Sequence, residues 1–425
     1  MPKHIAVLGS LDTKGQELDY LRARIRARSH AAILVDTSIG AEPTVTADVS
    51  AAEVAAAGGA DIGQIRASRD TRAATQAMVA GASRVVRRLH AEGRLDGIVS
   101  VGGASNTGLS TAVMGSLPFG IPKVMVSSMA AVPAYAGSYF GTKDIAVVHS
   151  VVDIAGLNPL LESVLDRAAG AVCGMVEAGS GAVTWLHGPR PRPTVGVTEF
   201  KFSEGCCRRA SQRLAEAGLE AIPFHAQGIG DRAMEELIDQ GLIDAVLDIV
   251  PAGVAEELLG GNRAAGPDRL EAAGRAGIPQ VIAPCGFDML SCGPLERGDR
   301  GDPLWVGRQL SKRKLFVPDA LRVQARTTAD ELRLVADAVA DKLARSRGPV
   351  VVLVPRRGWS SLSEEGGPLC DFDADEAFTR RLEERLDGAV PVREVDAALN
   401  SEAFADRAVD ELLRLLGGAR RDTGS

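Results

Sequence analysis

The sequence predicts an α/β protein of two Rossmann-like domains, each a mainly parallel sheet flanked by helices, and three observations carry that prediction. Short runs rich in Val and Ile alternate with longer amphipathic stretches, the pattern that βαβ crossovers around a parallel sheet produce. The chain has 425 residues, more than one ordinary domain core holds, so two domains are expected. Its 47 glycines and an aromatic share of only 4% suit helices packed close to a sheet and loops packed close to a ligand.

In chain order, strands are expected near residues 4–8, 31–36, 96–101, 122–127 and 146–150. After the first, Leu18, Leu21 and Ile25 recur at the three-to-four spacing of a surface helix, expected over Lys14–Arg28. The stretch from His187 to Pro193 reads His-Gly-Pro-Arg-Pro-Arg-Pro. Each proline removes a donor and fixes φ, so neither a helix nor an interior strand runs through it. It separates an expected first domain, 1–187, from a second, 194–418, with 188–193 as the linker. Strands resume near 194–198, 220–224, 244–248, 279–283 and 349–354. Phrases of like chemistry recur in both halves. HAAILVDTSIG (30–40) parallels LEAIPFHAQGIG (219–230), RLDGIVSVGGASNT (94–107) parallels LIDAVLDIVPAGVAEE (242–257), and GIPKVMVSS (120–128) parallels GIPQVIAPC (277–285). The halves therefore read as two copies of one layout.

Composition narrows the function. A net charge of -7, from 48 basic and 55 acidic residues, does not supply the clustered basic excess that nucleic acid requires. No stretch approaches 18 consecutive apolar residues, and the start Met-Pro-Lys-His runs at once into a strand, so no membrane partner and a cytoplasmic location are expected. The six cysteines (Cys173, Cys206, Cys207, Cys285, Cys292, Cys370) show no Cys-x-x-Cys spacing and predict reduced thiols rather than a disulfide framework or a zinc ribbon.

Ligands of open parallel sheets sit beyond the carboxyl ends of the strands, where helix N-termini present free N–H groups. The first such loop is Gly9-Ser10-Leu11-Asp12-Thr13-Lys14-Gly15. Gly9 permits a tight turn, and Ser10, Thr13 and Lys14 offer donors to a phosphate. Asp12 suits a ribose hydroxyl or a magnesium ion; Asp12 or Thr13 equally suits a helix cap. The loop is neither Walker A nor the dinucleotide fingerprint. The second, Gly102-Gly103-Ala104-Ser105-Asn106-Thr107-Gly108, pairs two glycines with the side-chain donors Ser105, Asn106 and Thr107. Ser127 and Ser128 end a third strand.

In the second half, His225 ends a strand, with Asp231 and Glu235 following as carboxylates that could orient it for acid–base work or leave it a structural histidine. Cys285 follows an apolar strand, where it reads as a nucleophile or as a small core residue. Gly260-Gly261-Asn262-Arg263 and Arg326-Thr327-Thr328 add donors for a carboxylate or phosphate.

The phrases VLGSLDTKGQEL, VGGASNTG, LPFGIPKVMVSSMA and HSVVDIAGLN, continued by FHAQGIGDRAMEELI, RTTADEL and DFDADEAF, resemble the family named for the ATP-binding domain of the tomato mosaic virus resistance protein. That resemblance implies a two-domain α/β protein, often self-associating, with ATP held by its first domain. The implied nucleotide contacts are Gly9, Asp12, Thr13 and Lys14, then Gly102, Gly103, Ser105, Asn106 and Thr107, then Ser127 and Ser128. The second half departs from the family pattern at TEFKFSEGCC, at HAQGIGD and at Cys285, which implies a specialised second ligand. The leading expectation is an ATP- and Mg²⁺-dependent enzyme acting on a small carboxylate in a cleft between domains, with Lys14 offsetting phosphate charge, Asp12 holding metal and His225 with Glu235 as acid–base groups. Two alternatives stay open: a nucleotide-dependent, homo-oligomeric binding protein, and an ATP-independent enzyme that uses His225 or Cys285.

Overall fold

The computed structural model describes residues 2–43, 45–68, 70–188 and 190–422. The chain divides into two compact units, Met1–Pro189 and Arg190–Ser425. Of the expected linker, residue 189 lies outside the described residues.

The first unit is built on strands β1 (His4–Gly9), β2 (Ala31–Asp36), β3 (Gly97–Gly102), β4 (Lys123–Ser127) and β5 (Ile145–His149), all parallel, in the order β2-β1-β3-β4-β5. Alternation along the strands sorts their side chains to two faces. Ile5 and Val7 pack with Leu18, Leu21 and Ile25 of the helix Leu11–Arg26 and with Leu165 and Val172 of the helix Pro159–His187. Ala6 and Leu8 face the other way, onto Met78 and Val86 of Thr71–Ala91 and Val113 of Ala104–Gly115. With both faces covered, β1 and β3 are apolar at nearly every position, as a parallel sheet requires.

The second unit holds β6 (Thr194–Glu199), β7 (Glu220–His225), β8 (Ala245–Asp248), β9 (Gln280–Ile282), β10 (Met289–Ser291), β11 (Leu315–Phe316), β12 (Gln324–Arg326), β13 (Val350–Pro355) and β14 (Val392–Val395). Six of them form a parallel sheet in the order β14-β13-β9-β8-β6-β7. Counted from its own first strand, this sheet repeats the order of the first unit and adds one strand at the far edge. The recurrent phrases fall on equivalent strands: β2 with β7, β3 with β8, β4 with β9. The antiparallel sheet β10-β12-β11, inserted between β9 and β13, has no counterpart in the first unit.

The first helix starts at Leu11 rather than Lys14, and Lys14 itself leaves helical geometry with φ -129° and ψ 22°. Among the described residues, no helix is long and apolar enough to cross a membrane.

Candidate functional site

In an open α/β sheet the ligand crevice lies where adjacent strands send their connections to opposite faces, beyond the strands' carboxyl ends. In the first unit this switch point lies between β1 and β3, because the helix after β1 packs on one face and the helix after β3 on the other. Both glycine loops leave from these two strands, yet they are used differently.

After β1 the backbone donors are already engaged. The Leu11 N–H donates to Asp36 Oδ1 (3.2 Å), the Asp12 N–H to Ser38 Oγ (3.0 Å), and the Thr13 and Lys14 N–H groups to the Ser10 carbonyl (3.4 and 2.9 Å). The anion at this helix start is thus the protein's own carboxylate, Asp36, which ends β2. Lys14, expected on phosphate, donates its ammonium to the Ile154 carbonyl. Ser10 is half-buried and Thr13 exposed. The Gly40 N–H donates to Asp12 Oδ2 (3.1 Å). Three oxygens then remain shut off from solvent without a hydrogen-bond partner: Asp12 Oδ1, Asp36 Oδ2 and Thr37 Oγ1.

After β3 the helix Ala104–Gly115 begins from Gly103, which has no side chain to cap it. The N–H groups of residues 104–106 belong to the four that a helix start leaves without intrahelical partners. Ser105 is exposed beside them and Gly103 half-buried. A Cβ on Gly103 would meet nothing nearer than Ser128 Oγ at 3.7 Å, so the approach to this helix start is open. Asn106, Thr107 and Ser127 were expected to face a ligand, but they are buried in the frame beneath it. Asn106 Nδ2 donates to the Val101 carbonyl (2.8 Å) and Ser100 Oγ (3.2 Å), and the Thr107 and Ser127 hydroxyls share a 2.7 Å bond. Ser128 stays half-buried, with its N–H on the Gly102 carbonyl (3.3 Å). Asn106 also explains two glycines. A Cβ on Gly102 would lie 2.6 Å from Asn106 Cβ, and one on Gly9 would lie 2.7 Å from Leu18 Cδ1 and 3.2 Å from Asn106 Nδ2.

In the second unit the expected catalytic set does not assemble. His225 is exposed at the end of β7. Glu235 is buried, accepting from the N–H groups of Leu270 (2.7 Å), Glu271 (3.2 Å) and Ala272 (2.7 Å) and from Arg269 Nη1 (2.9 Å). It caps a short helix rather than moving a proton. Cys285 has no exposed surface, and burial pushes its thiol well above the ordinary range, the opposite of an activated nucleophile.

The corresponding switch point of the second unit, between β6 and β8, is filled from within. Asp248, ending β8, accepts from Thr198 Oγ1 on β6 (2.7 Å) and from Arg269 Nη2 (2.8 Å), and the Val250 N–H donates to Thr198 Oγ1 (2.8 Å). Arg269 is fully buried and also lies 3.5 Å from Asp231 Oδ2, whose carboxyl is raised by burial. The other expected donors are engaged too. Arg263 donates to Glu256 (2.8 Å) and Gln324 (3.0 Å), and Arg326 donates to the Asp288 and Asp371 carbonyls (both 2.8 Å) and pairs with Asp375. Among the described residues, no three His, Cys, Asp or Glu side chains stand together to hold a metal ion.

Comparison with known proteins agrees with this two-part construction. Residues 3–180 match the Uncharacterised protein family (UPF0261) N-terminal domain, and residues 192–416 match its C-terminal domain. The chain belongs to the UPF0261 family. A UPF0261 protein of Clostridium tetani is 34% identical over 98% of this chain and 100% of its own length, and one from Rhizobium meliloti is 34% identical over 96% and 98%. The ToMV resistance protein Tm-1(GCR237) of Solanum lycopersicum is 33% identical over 76% of this chain and 42% of its own length. The resemblance that the sequence motifs carry is therefore shown at the level of the family.

The sequence reading passed over Asp36, Thr37 and Ser38 as site residues. Their signal was positional: an acid followed by two hydroxyls at the end of the second strand, where α/β nucleotide sites place a sugar-binding acid.

Proposed function

We propose that the first domain of this UPF0261 protein binds a nucleotide, ATP with Mg²⁺, with its phosphates on the uncapped start of the helix Ala104–Gly115. The observation that carries the reading is that helix start: an exposed Ser105 and free N–H groups behind Gly103, at the strand-order switch point. Backbone N–H groups and the helix dipole favour an anion there without any charged side chain. Asp12, whose Oδ1 has no hydrogen-bond partner, would hold the metal, since Mg²⁺ is commonly bound through one or two carboxylates alongside substrate phosphates and water. Bound Mg²⁺ would neutralise phosphate charge. Asn106, Thr107 and Ser127 hold the loop in shape, and Lys14 ties the first helix to the segment after β5.

The reading supports ATP-dependent group transfer to a small metabolite, or a nucleotide-dependent self-associating protein. The engagement of Glu235 by Arg269 and the complete burial of Cys285 remove the specific support for catalysis by these two residues, so nucleotide binding is the part we carry forward. Gly103→Asp is the sharpest test. Its backbone, φ -81° and ψ -162°, admits any residue, and an aspartate there caps the helix while placing a negative charge where phosphate would sit. Calorimetric titration with MgATP should show micromolar or tighter binding to the native chain and at least a tenfold loss in the variant, with an unchanged or raised melting temperature. Equal binding by both would overturn the assignment.

A further inference from the structure

We infer that the second unit carries an anion site of its own, for the phosphate group of a small phosphorylated ligand, in a cavity beside the start of the helix Ala329–Leu343 and independent of the nucleotide proposed for the first unit. The cavity measures about 390 Å³ and is lined by the side chains of Arg308, Gln309, Lys312, Arg313, Thr328 and Glu331, none of them a hydrocarbon. Such a wall offers nothing to an apolar ligand. Residues 307–313 lie between β10 and β11, in the insertion that has no counterpart in the first unit.

Charge sets the ligand class. Glu331 is buried and accepts from Arg308 Nη1 (2.8 Å), from Arg313 Nη1 (2.6 Å) and Nη2 (2.9 Å), and from the Thr328 N–H (3.0 Å). Burial alone would raise its carboxyl, but the hydrogen bonds from Arg313 and Thr328 outweigh burial and hold the group below the usual carboxylate range, so it stays ionised. Among the described residues, Arg308 and Arg313 form ion pairs with this carboxylate alone, and Lys312 with none. Three cations around one carboxylate leave two positive charges unanswered, in a chain whose net charge is -7. Arginines further along this helix and on its neighbour Phe372–Leu386 are matched instead: Arg333 by Asp330, and Arg385 by Asp337 and Asp341. A phosphate group brings about two negative charges at neutral pH in one compact acceptor.

Donors remain for it. Arg308 Nε is tied to the Leu259 carbonyl (2.6 Å), and the Arg313 guanidinium also holds the Arg326 and Arg308 carbonyls (3.2 and 2.7 Å). These bonds keep both guanidinium groups in place, while Arg308 Nη2 and Arg313 Nε donate to no described residue and are not sealed from solvent. Fixed guanidinium forks are what phosphate recognition uses. Lys312 is exposed and donates to Gln309 Oε1 (3.1 Å), which leaves ammonium protons for a ligand. The Arg326-Thr327-Thr328 phrase, read from the sequence as a donor set, divides here. Arg326 and Thr327 turn inward, Thr327 onto the Phe287 carbonyl (2.6 Å), and Thr328 is left exposed on the cavity wall.

The test is calorimetric titration of the full chain with inorganic phosphate and with succinate at constant ionic strength. Gly103→Asp serves as the background, because its negative charge removes the other proposed phosphate position from the readout. In that background one phosphate should bind per chain. Adding Lys312→Glu should weaken it by about tenfold or more, and Lys312→Arg should leave it within about threefold, as expected for a charge a few ångströms from the anion. Melting temperatures should stay within a few degrees of the parent, since Lys312 is exposed. Succinate, whose two charges sit on separate carboxylates, should bind about tenfold more weakly than phosphate. No phosphate bound in the Gly103→Asp background, or equal binding after Lys312→Glu, would overturn the site. Succinate bound as tightly as phosphate would overturn the ligand class.

Discussion

The two units share a strand order but treat its switch point oppositely. Between β1 and β3 the loops leave an uncapped helix start behind Gly103 and three unpartnered oxygens on Asp12, Asp36 and Thr37. Between β6 and β8 the equivalent space is closed by Thr198, Asp248 and Arg269, all fully or almost fully buried. Although both Asp231 oxygens, Asp248 Oδ2 and Arg269 Nε lack hydrogen bonds there, the carboxylates stand against the Arg269 cation. One copy of the layout leaves an uncapped helix start at this position, and the other fills it with its own buried charges. The lesson is that a shared topology marks where a site can be, while the side chains at the strand ends decide whether it is one.

Replacing the internal plug should have the largest effect. Arg269→Met leaves Asp231, Glu235 and Asp248 buried without their cation, which typically costs about 3–5 kcal/mol. Urea denaturation should show the loss in the second unit's transition, while nucleotide affinity on the first unit stays within twofold; a loss below about 1 kcal/mol would mean that the plug is solvated rather than sealed.

The glycines of the open site come next. Gly102→Ala crowds Asn106, and overpacking of this kind costs about 1–3 kcal/mol, whereas Gly103→Ala meets open space and should move the melting temperature little. Equal destabilisation by both would remove the distinction drawn between frame and site.

A further prediction concerns pH. Burial raises the Asp375 carboxyl to about 7, against its ion pair with Arg326. The folded protein therefore binds more protons than the unfolded chain between about pH 4 and 7, so this group's contribution to stability falls as pH rises through that window and is level above it. Asp375→Asn, which cannot ionise, should gain on the native protein across the same window when thermal midpoints are compared, and a parallel pair of curves would contradict the account. Smallest of all, Ser105→Ala lies on the surface and should shift stability by less than about 0.5 kcal/mol.

Much of this architecture was legible in the sequence because parallel strands of five or six apolar residues announce themselves: IAVL, GIVSV and VVVLV sit in buried strands within a residue or two of where their composition places them. The inserted sheet was not, because β10, β11 and β12 are two or three residues long and read Met-Leu-Ser, Leu-Phe and Gln-Ala-Arg. The candidate site was half legible. Gly9 and Gly103 stand at strand ends as expected, yet whether Asn106 faces a ligand or braces a loop depends on contacts with Val101 and Ser100 that spacing does not encode. Glu235 reads as a plausible partner for His225 until Arg269, 34 residues away, is seen to hold it. Asp36 likewise acquires its meaning from Leu11, 25 residues earlier.

The central claim, that the open switch point is the nucleotide site and the filled one is not, is tested most directly by amide hydrogen–deuterium exchange of the full chain with and without MgATP. The account predicts slowed exchange in peptides covering Gly103–Thr107, whose first helical amides have no partner in the free protein, and no change in peptides covering Asp248–Glu256. Protection confined to the second of these segments, or absent from the first at saturating nucleotide, would contradict it.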